Sequence, residues 1–200
     1  MALNFKGDYK FFHVPKTGGN YVREVLKQSF APTQLAEGKH PHSGGLDHGG
    51  RHVFDHSFCC VRAPYTWYKS FYRYRVQNGW KTDYPIDIHC RAATYDEFIW
   101  NILKIWDGNP HGFVTGLYLK YIPFCKHILR MESLTGELKQ LFAMWNMRWP
   151  ENIKHINVSN PKIDTHLSPR TRERLRSVDS GMTAYLGYDK SGNSINHTVG

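Results

Sequence analysis

The chain has 200 residues, with 26 Lys and Arg against 17 Asp and Glu, a formal net charge of +9, and 40% apolar residues. That length suits one domain with a real core, and that charge points to an anionic ligand: a nucleotide, a nucleic acid or an acidic polymer. No segment approaches the roughly 18 apolar residues of a membrane span, MALNFKGDYK lacks the apolar stretch of a signal peptide, and Cys59, Cys60, Cys90 and Cys125 form no CxxC pair. The expectation is a soluble cytoplasmic protein of bacterial or viral source, without disulfides.

Residues 9–14 (YKFFHV) read as a strand, and 20–30 (NYVREVLKQSF) as a helix with Tyr21, Val22, Val25, Leu26 and Phe30 near helical spacing. Residues 31–52, rich in glycine and histidine, read as an irregular excursion. A second apolar strand at 57–61 (SFCCV) leads into a helix over 62–75 (RAPYTWYKSFYRYR) that Pro64 starts. Thr94 and Glu97 have the spacing of a capping box for a helix over 94–106. FCKHIL at 124–129 reads as a third strand, followed by a helix near 133–146, a short strand at 155–159 (HINVS) and a final helical stretch opened by Ser168-Pro169. Residues 76–93 and 107–123 read as loops lining an acceptor. This alternation predicts an α/β fold, a largely parallel sheet covered by helices, in a single domain over 1–200 with a core at about 8–190 and a flexible tail at 190–200. In such a fold ligands bind at the carboxyl ends of the strands.

The stretch FFHVPKTGGN, residues 11–20, falls at such an end. Glycines let backbone N–H groups turn toward a ligand, a helix start adds partial positive charge, and Lys16 supplies a full charge at the lip. In the nucleoside-triphosphate loop the lysine follows the glycines and a hydroxyl residue for magnesium comes next. Here Lys16 precedes Gly18 and Gly19, which argues against a magnesium-dependent kinase. Further on, Arg62 leaves the strand SFCCV and Ser70 lies eight residues later; a guanidinium fork and a hydroxyl suit a terminal phosphate.

HVPKTGG at 13–19, followed by CVRAP at 60–64 with Ser70 beyond it, resembles the two cofactor loops of sulfotransferases that use 3′-phosphoadenosine 5′-phosphosulfate (PAPS). The nearest branch is the carbohydrate type, including heparan sulfate 2-O-sulfotransferases and bacterial relatives. ILRMESL at 128–134 is similar to that family's R-x-E-x-L segment, HINVS to its N-x-S loop, and YLGY at 185–188 to its terminal F-G-Y. Asn20 stands where the family has Thr or Ser, Ala63 where it has Asp or Asn, and Trp67 where it often has Arg. The resemblance implies a P-loop-like central parallel sheet flanked by helices, the sulfotransferase fold. It implies that Lys16, Thr17, Gly18, Gly19, Asn20 and Tyr21 surround the 5′-phosphosulfate and that Arg62 and Ser70 bind the 3′-phosphate. It also implies transfer of a sulfuryl group to a hydroxyl acceptor, a glycan, with 3′-phosphoadenosine 5′-phosphate as product and Lys16 stabilising charge on the leaving oxygen.

Transfer to a hydroxyl needs a base, and histidine suits that task near neutral pH. GKHPHSGG holds His40 and His42 between the two motifs; the heparan 2-O enzymes carry an H-x-H in a comparable place, which implies His40 as base and His42 as second choice. His48, His52 and His56, four residues apart, would share one face of a helix and raise a zinc reading, but Gly49 and Gly50 weaken that helix, and no metal is expected. Cys59 and Cys60 read as core residues. The main alternative is a basic nucleic-acid-binding module using the aromatic-basic helix YTWYKSFYRYR; packing of Trp67, Phe71 and Tyr74 into a core explains those rings without one. A nucleotide kinase of related fold is the weaker alternative.

Overall fold

The computed structural model describes residues 2–38, 54–151, 153, 161–189, 193 and 195. The chain divides into two compact units, each of two stretches: residues 1–62 with 118–158, and 63–117 with 159–200. In chain order the elements begin with β1 (Ala2–Phe5), β2 (Tyr9–Phe12), α1 (Gly19–Ser29), β3 (Leu35–Gly38), β4 (Phe54–Val61), α2 (Pro64–Asn78) and α3 (Pro85–Cys90). They continue with α4 (Tyr95–Ile105), α5 (Phe113–Tyr118), β5 (Cys125–Arg130), α6 (Leu134–Met144), α7 (Pro169–Val178) and α8 (Ser180–Tyr185).

All five strands belong to the first unit and form one sheet in the order β3-β1-β2-β4-β5. β2, β4 and β5 run parallel, as the sequence predicts, while β1 pairs antiparallel with both β2 and β3. The sheet is therefore mixed. β1 falls in the charged N-terminal stretch, and β3 in what reads as an irregular excursion. The reversal from Phe5 to Tyr9 uses left-handed backbone at Lys6 (φ 44°) and Gly7 (φ 78°), the conformation a tight hairpin requires. One face of the sheet, with Leu3, Phe5, Phe11, Phe58, Cys60 and Leu129, packs with Val22, Val25 and Leu26 of α1 and with Leu134, Leu138, Leu141 and Phe142 of α6. The helical spacing in α1 is what carries its three apolar side chains to that face. Burial raises the Cys60 thiol well above its ordinary range, as a core cysteine requires.

The described part of the second unit is helical. α2 starts at Pro64, and α4 has the predicted cap: the Thr94 hydroxyl accepts from Glu97 N–H at 3.2 Å, while the Glu97 carboxylate accepts from Ala93 N–H rather than from the cap residue itself. Segments 76–93 and 107–123, read above as loops, contain α3 and α5, each six residues long and too short to show a period. Trp67 and Phe71 are buried and stacked 5.1 Å apart, with Phe71 in turn stacked on Phe98 at 6.0 Å; Tyr74 is exposed. The strand expected at 155–159 lies outside the described residues, as do all but two residues of the expected tail.

Two buried polar groups organise this unit. Asp179 accepts from the Tyr68 hydroxyl (2.7 Å) and from both the N–H (2.9 Å) and hydroxyl (2.6 Å) of Thr115, and burial raises its carboxyl pKa. Arg75 donates to Asp87 at 2.9 Å beneath the rings of Phe71 and Tyr84, and Asp87 also accepts from Lys81 N–H. Asp87→Ala strands a buried guanidinium and should cost about 3 to 5 kcal/mol. Glu151→Ala, which breaks the exposed 3.6 Å pair with Arg148, should cost under about 1 kcal/mol. Urea midpoints of the two variants against the parent measure the difference.

Candidate functional site

Parallel pairing places the exits of β2, β4 and β5 at one edge of the sheet. Phe12 pairs with Cys59, and Val61 with Arg130, so Arg62 and Met131 leave side by side, and His13 leaves two residues earlier, level with Cys60. The loop from β2 then runs through Lys16 (φ 65°), Thr17 and Gly18 (φ 84°) into α1 at Gly19. Left-handed backbone is uncommon in a lysine, and such positions gather at ligand sites.

The loop is braced from behind. The Thr17 hydroxyl, fully buried, donates to the Val14 carbonyl at 2.8 Å, closing the turn around Lys16. A Cβ on Gly18 would stand 2.6 Å from Leu134 Cδ2 and from Met131 Sδ, and one on Gly19 would stand 2.0 Å from the His13 ring. The glycines are thus demanded by the packing beneath the loop. His13 stacks on Phe11 with ring centroids 5.8 Å apart; burial first, then nearby positive charge including Arg23, lowers its pKa to about 4. It is a neutral ring at physiological pH, and so supports the loop without contributing charge.

The sequence-predicted loop residues separate by role. Lys16 is half-buried at the lip, Asn20 is exposed, and Gly18 and Gly19 offer only backbone. The side chains of Thr17 and Tyr21 are engaged within the protein. The Thr17 side chain is spent on Val14, and the Tyr21 hydroxyl accepts from the Thr135 hydroxyl at 3.0 Å with its ring against the core. Any contact either makes with an anion runs through its backbone N–H. The first i→i−4 bond of α1 runs from Val22 N–H to the Gly18 carbonyl at 3.2 Å, so the N–H groups of residues 19–21 precede the helical ladder. α1 has no side-chain cap and no acidic residue in its first turn. α2, which follows Arg62, likewise has neither, its cap position being Ala63. The contrast is with α4, capped by Thr94 and carrying Asp96 and Glu97, and with α7, capped by Ser168. The starts of α1 and α2 thus keep their positive potential uncompensated by a capping side chain or a first-turn acid; the start of α8 also lacks both.

Arg62 is held by a residue that the sequence does not reveal. The Tyr118 hydroxyl, fully buried, accepts from Arg62 N–H at 3.0 Å and donates to the Arg62 carbonyl at 2.7 Å. Glu137 does the same for the next strand exit, accepting from Arg130 N–H (2.7 Å), Arg130 Nε (2.8 Å) and the Ser133 hydroxyl (2.6 Å). The Tyr118 pairing leaves no local signal, because Tyr118 lies 56 residues from Arg62 and falls in a segment read as loop, whereas Glu137 is only seven residues from Arg130. Ser70 is buried on α2, in the other unit. His40, His42, His48 and His52 lie outside the described residues. His56 lies in β4 and not on a helix, with its ring 4.4 Å from that of Tyr9, so the shared helical face that raised a zinc reading does not include it.

Comparison with protein-family models, with curated proteins and with solved structures found no match.

Two expectations follow from the loop's geometry. Gly19→Ala should cost about 2 kcal/mol through overpacking, and a His13→Ala background should relieve most of that cost; a double-mutant cycle on urea midpoints measures the coupling. The second concerns pH. An unfolded chain protonates His13 near 6.5 and the native state only near 4, so between those values the unfolded state binds more protons and stability falls as the pH falls. The His13 contribution should be of order 2 kcal/mol across that window. His13→Asn should flatten the slope of urea midpoint against pH between 6.5 and 4.

Proposed function

We propose that the chain transfers a sulfuryl group from PAPS to a hydroxyl acceptor, a glycan, on a P-loop-like fold of the sulfotransferase type. The observation that carries the reading is left-handed Lys16 at the lip of a strand–glycine–helix loop whose helix start has neither cap nor acid. The sequence resemblance supplies the cofactor's identity. PAPS, when bound, supplies the activated sulfuryl group and a doubly phosphorylated leaving group. The chain's own residues do the rest. Backbone N–H groups of Thr17 through Tyr21 face the phosphosulfate, and Lys16 places its ammonium where charge develops on the leaving oxygen. Arg62, its backbone fixed by Tyr118, and Ser70 hold the 3′-phosphate. His40 accepts the acceptor proton, with His42 as second candidate.

Three observations favour this reading over its rivals. Lys16 precedes the glycines, and Thr17, at the head of the loop, spends its hydroxyl on Val14 and not on a metal, which disfavours a magnesium-dependent kinase. Trp67 and Phe71 are buried in packing, so α2 offers no row of exposed rings for bases to stack on. The four cysteines are free and buried, which suits a reducing, cytoplasmic setting. Among the described residues no helix is long and apolar enough to cross a membrane.

The test is sulfuryl transfer from labelled PAPS across a panel of glycan and small hydroxyl acceptors, alongside thermal shifts with nucleotides. 3′-Phosphoadenosine 5′-phosphate should stabilise the protein well above AMP or ATP without magnesium. Lys16→Ala should lower turnover by about 10²-fold or more, and His40→Ala by roughly 10² to 10⁴-fold with nucleotide binding retained. Equal stabilisation by magnesium-ATP, or full turnover in Lys16→Ala at saturating PAPS, would overturn the reading.

A further inference from the structure

α7 carries arginines at 170, 172, 174 and 176, and helical spacing sorts them into two lines, 170 with 174 and 172 with 176. The first line is accounted for. Arg170 and Arg174 stack on Trp100 with guanidinium carbons 5.0 and 5.7 Å from the ring centroid, and Arg174 pairs with Asp107 at 2.5 Å. The second line lies with α2. Arg176 is 5.4 Å from the Tyr65 ring, and Lys69 Nζ is 4.5 Å from the same ring. Arg73, one turn beyond Lys69, spends its guanidinium on the Ile163 carbonyl (3.3 Å) and the Thr165 hydroxyl (3.2 Å), and Arg172 spends one nitrogen on the Leu167 carbonyl (3.0 Å).

Among the described residues none of these four cations is ion-paired. Two donors beside them are also unused. Arg172 Nε is buried without a hydrogen-bond partner, and so is the Tyr95 hydroxyl, whose residue is 2% exposed. That hydroxyl lies within electrostatic reach of Tyr65 and Arg73. Burial, and then Arg73, Arg172 and Arg176, lower the Lys69 pKa, so the four charges are close enough to repel. Of the acids nearby in sequence or packing, Asp96 accepts from Ser168 N–H at the start of α7, Asp164 and Glu97 act on Tyr72, and Glu173 lies on α7 itself without forming an ion pair among the described residues. Crowded like charges with buried unused donors are unfavourable unless an anion sits among them.

We propose that Lys69, Arg73, Arg172 and Arg176, with the Tyr95 hydroxyl and Arg172 Nε as buried donors, form a binding site for a tetrahedral oxyanion, a phosphate or sulfate monoester. Three guanidinium groups and an ammonium present more donors than the two oxygens of a carboxylate accept, whereas the three terminal oxygens of a monoester match them. The site stands independently of the sulfotransferase reading, since it takes the same group whether a nucleotide or a sulfated or phosphorylated acceptor carries it.

The test titrates the full chain with sodium sulfate and sodium phosphate against sodium chloride at constant ionic strength, following the arginine Nε–H resonances by NMR. Saturable binding of sulfate or phosphate with a shift of the Arg172 Nε–H resonance is expected. Lys69→Met with Arg176→Gln should weaken that binding about tenfold or more. The same variant should melt no lower than the parent without anion, since it removes repulsion; a purely structural role for these cations predicts the reverse. Competition by 3′-phosphoadenosine 5′-phosphate would assign the bound group to a nucleotide, and competition by a sulfated oligosaccharide alone would assign it to an acceptor. Response to chloride equal to that for sulfate, or unchanged sulfate affinity in the double variant, would overturn the proposal.

Discussion

The parallel register of β2, β4 and β5 is the constraint on which the first unit depends. Parallel strands cannot be joined by a hairpin, so each return must cross over, and every crossover leaves from the same edge. Here that edge receives the Lys16 loop, Arg62 and the Arg130–Ser133 turn. The pairing also buries the strands, which explains why Phe11, Phe12, Phe58, Cys59, Cys60 and Val61 read as apolar runs without alternation. Polar chemistry is thereby excluded from the strands and confined to the residues that follow them.

Those residues are held by long-range polar contacts, not by capping. A side-chain cap on α1 or α2 would contribute roughly 0.5 to 2 kcal/mol, and both helices forgo it. The loop before α1 is instead fixed from beneath, by His13 under Gly19 and by Leu134 and Met131 under Gly18. The arginine before α2 is fixed by Tyr118, and the turn before α6 by Glu137. Support from below thus fixes the backbone at each strand exit without a side-chain cap on α1 or α2.

Much of this was readable in the sequence, and the remainder failed for identifiable reasons. The parallel strands announced themselves as apolar runs ending at Pro15 and Arg62, and helices α1, α2, α4, α6 and α7 through spacing, Pro64, the Thr94 cap and Ser168-Pro169. β1 and β3 are four residues each, and their identity as strands depends on each other across the sheet, which no local window contains. α3 and α5 are little over one turn. At the site, the motif marked where the loop between β2 and α1 lies but not what its side chains touch. Thr17 and Tyr21 serve the loop and the core, while His13, read only as part of a strand, fixes the loop. Tyr118 was invisible because its partner lies 56 residues away and is set by tertiary packing; Glu137 is only seven residues from Arg130, but no capping or periodic pattern singles it out.

The net charge of +9 takes on a more specific meaning once the cations are traced. Arg75 and Arg130 are neutralised by partially or fully buried carboxylates, and Arg170 and Arg174 lie on Trp100. Such cations are structural and add little to the field felt by a ligand. Lys69, Arg73, Arg172 and Arg176, by contrast, gather around Tyr65 and Tyr95. A sequence-independent polyanion binder spreads its cations along a groove to track a regular backbone. Here these four cations instead gather where the Tyr95 hydroxyl and Arg172 Nε are buried without partners, and an anion of fixed shape satisfies both the charge and the hydrogen bonds at once.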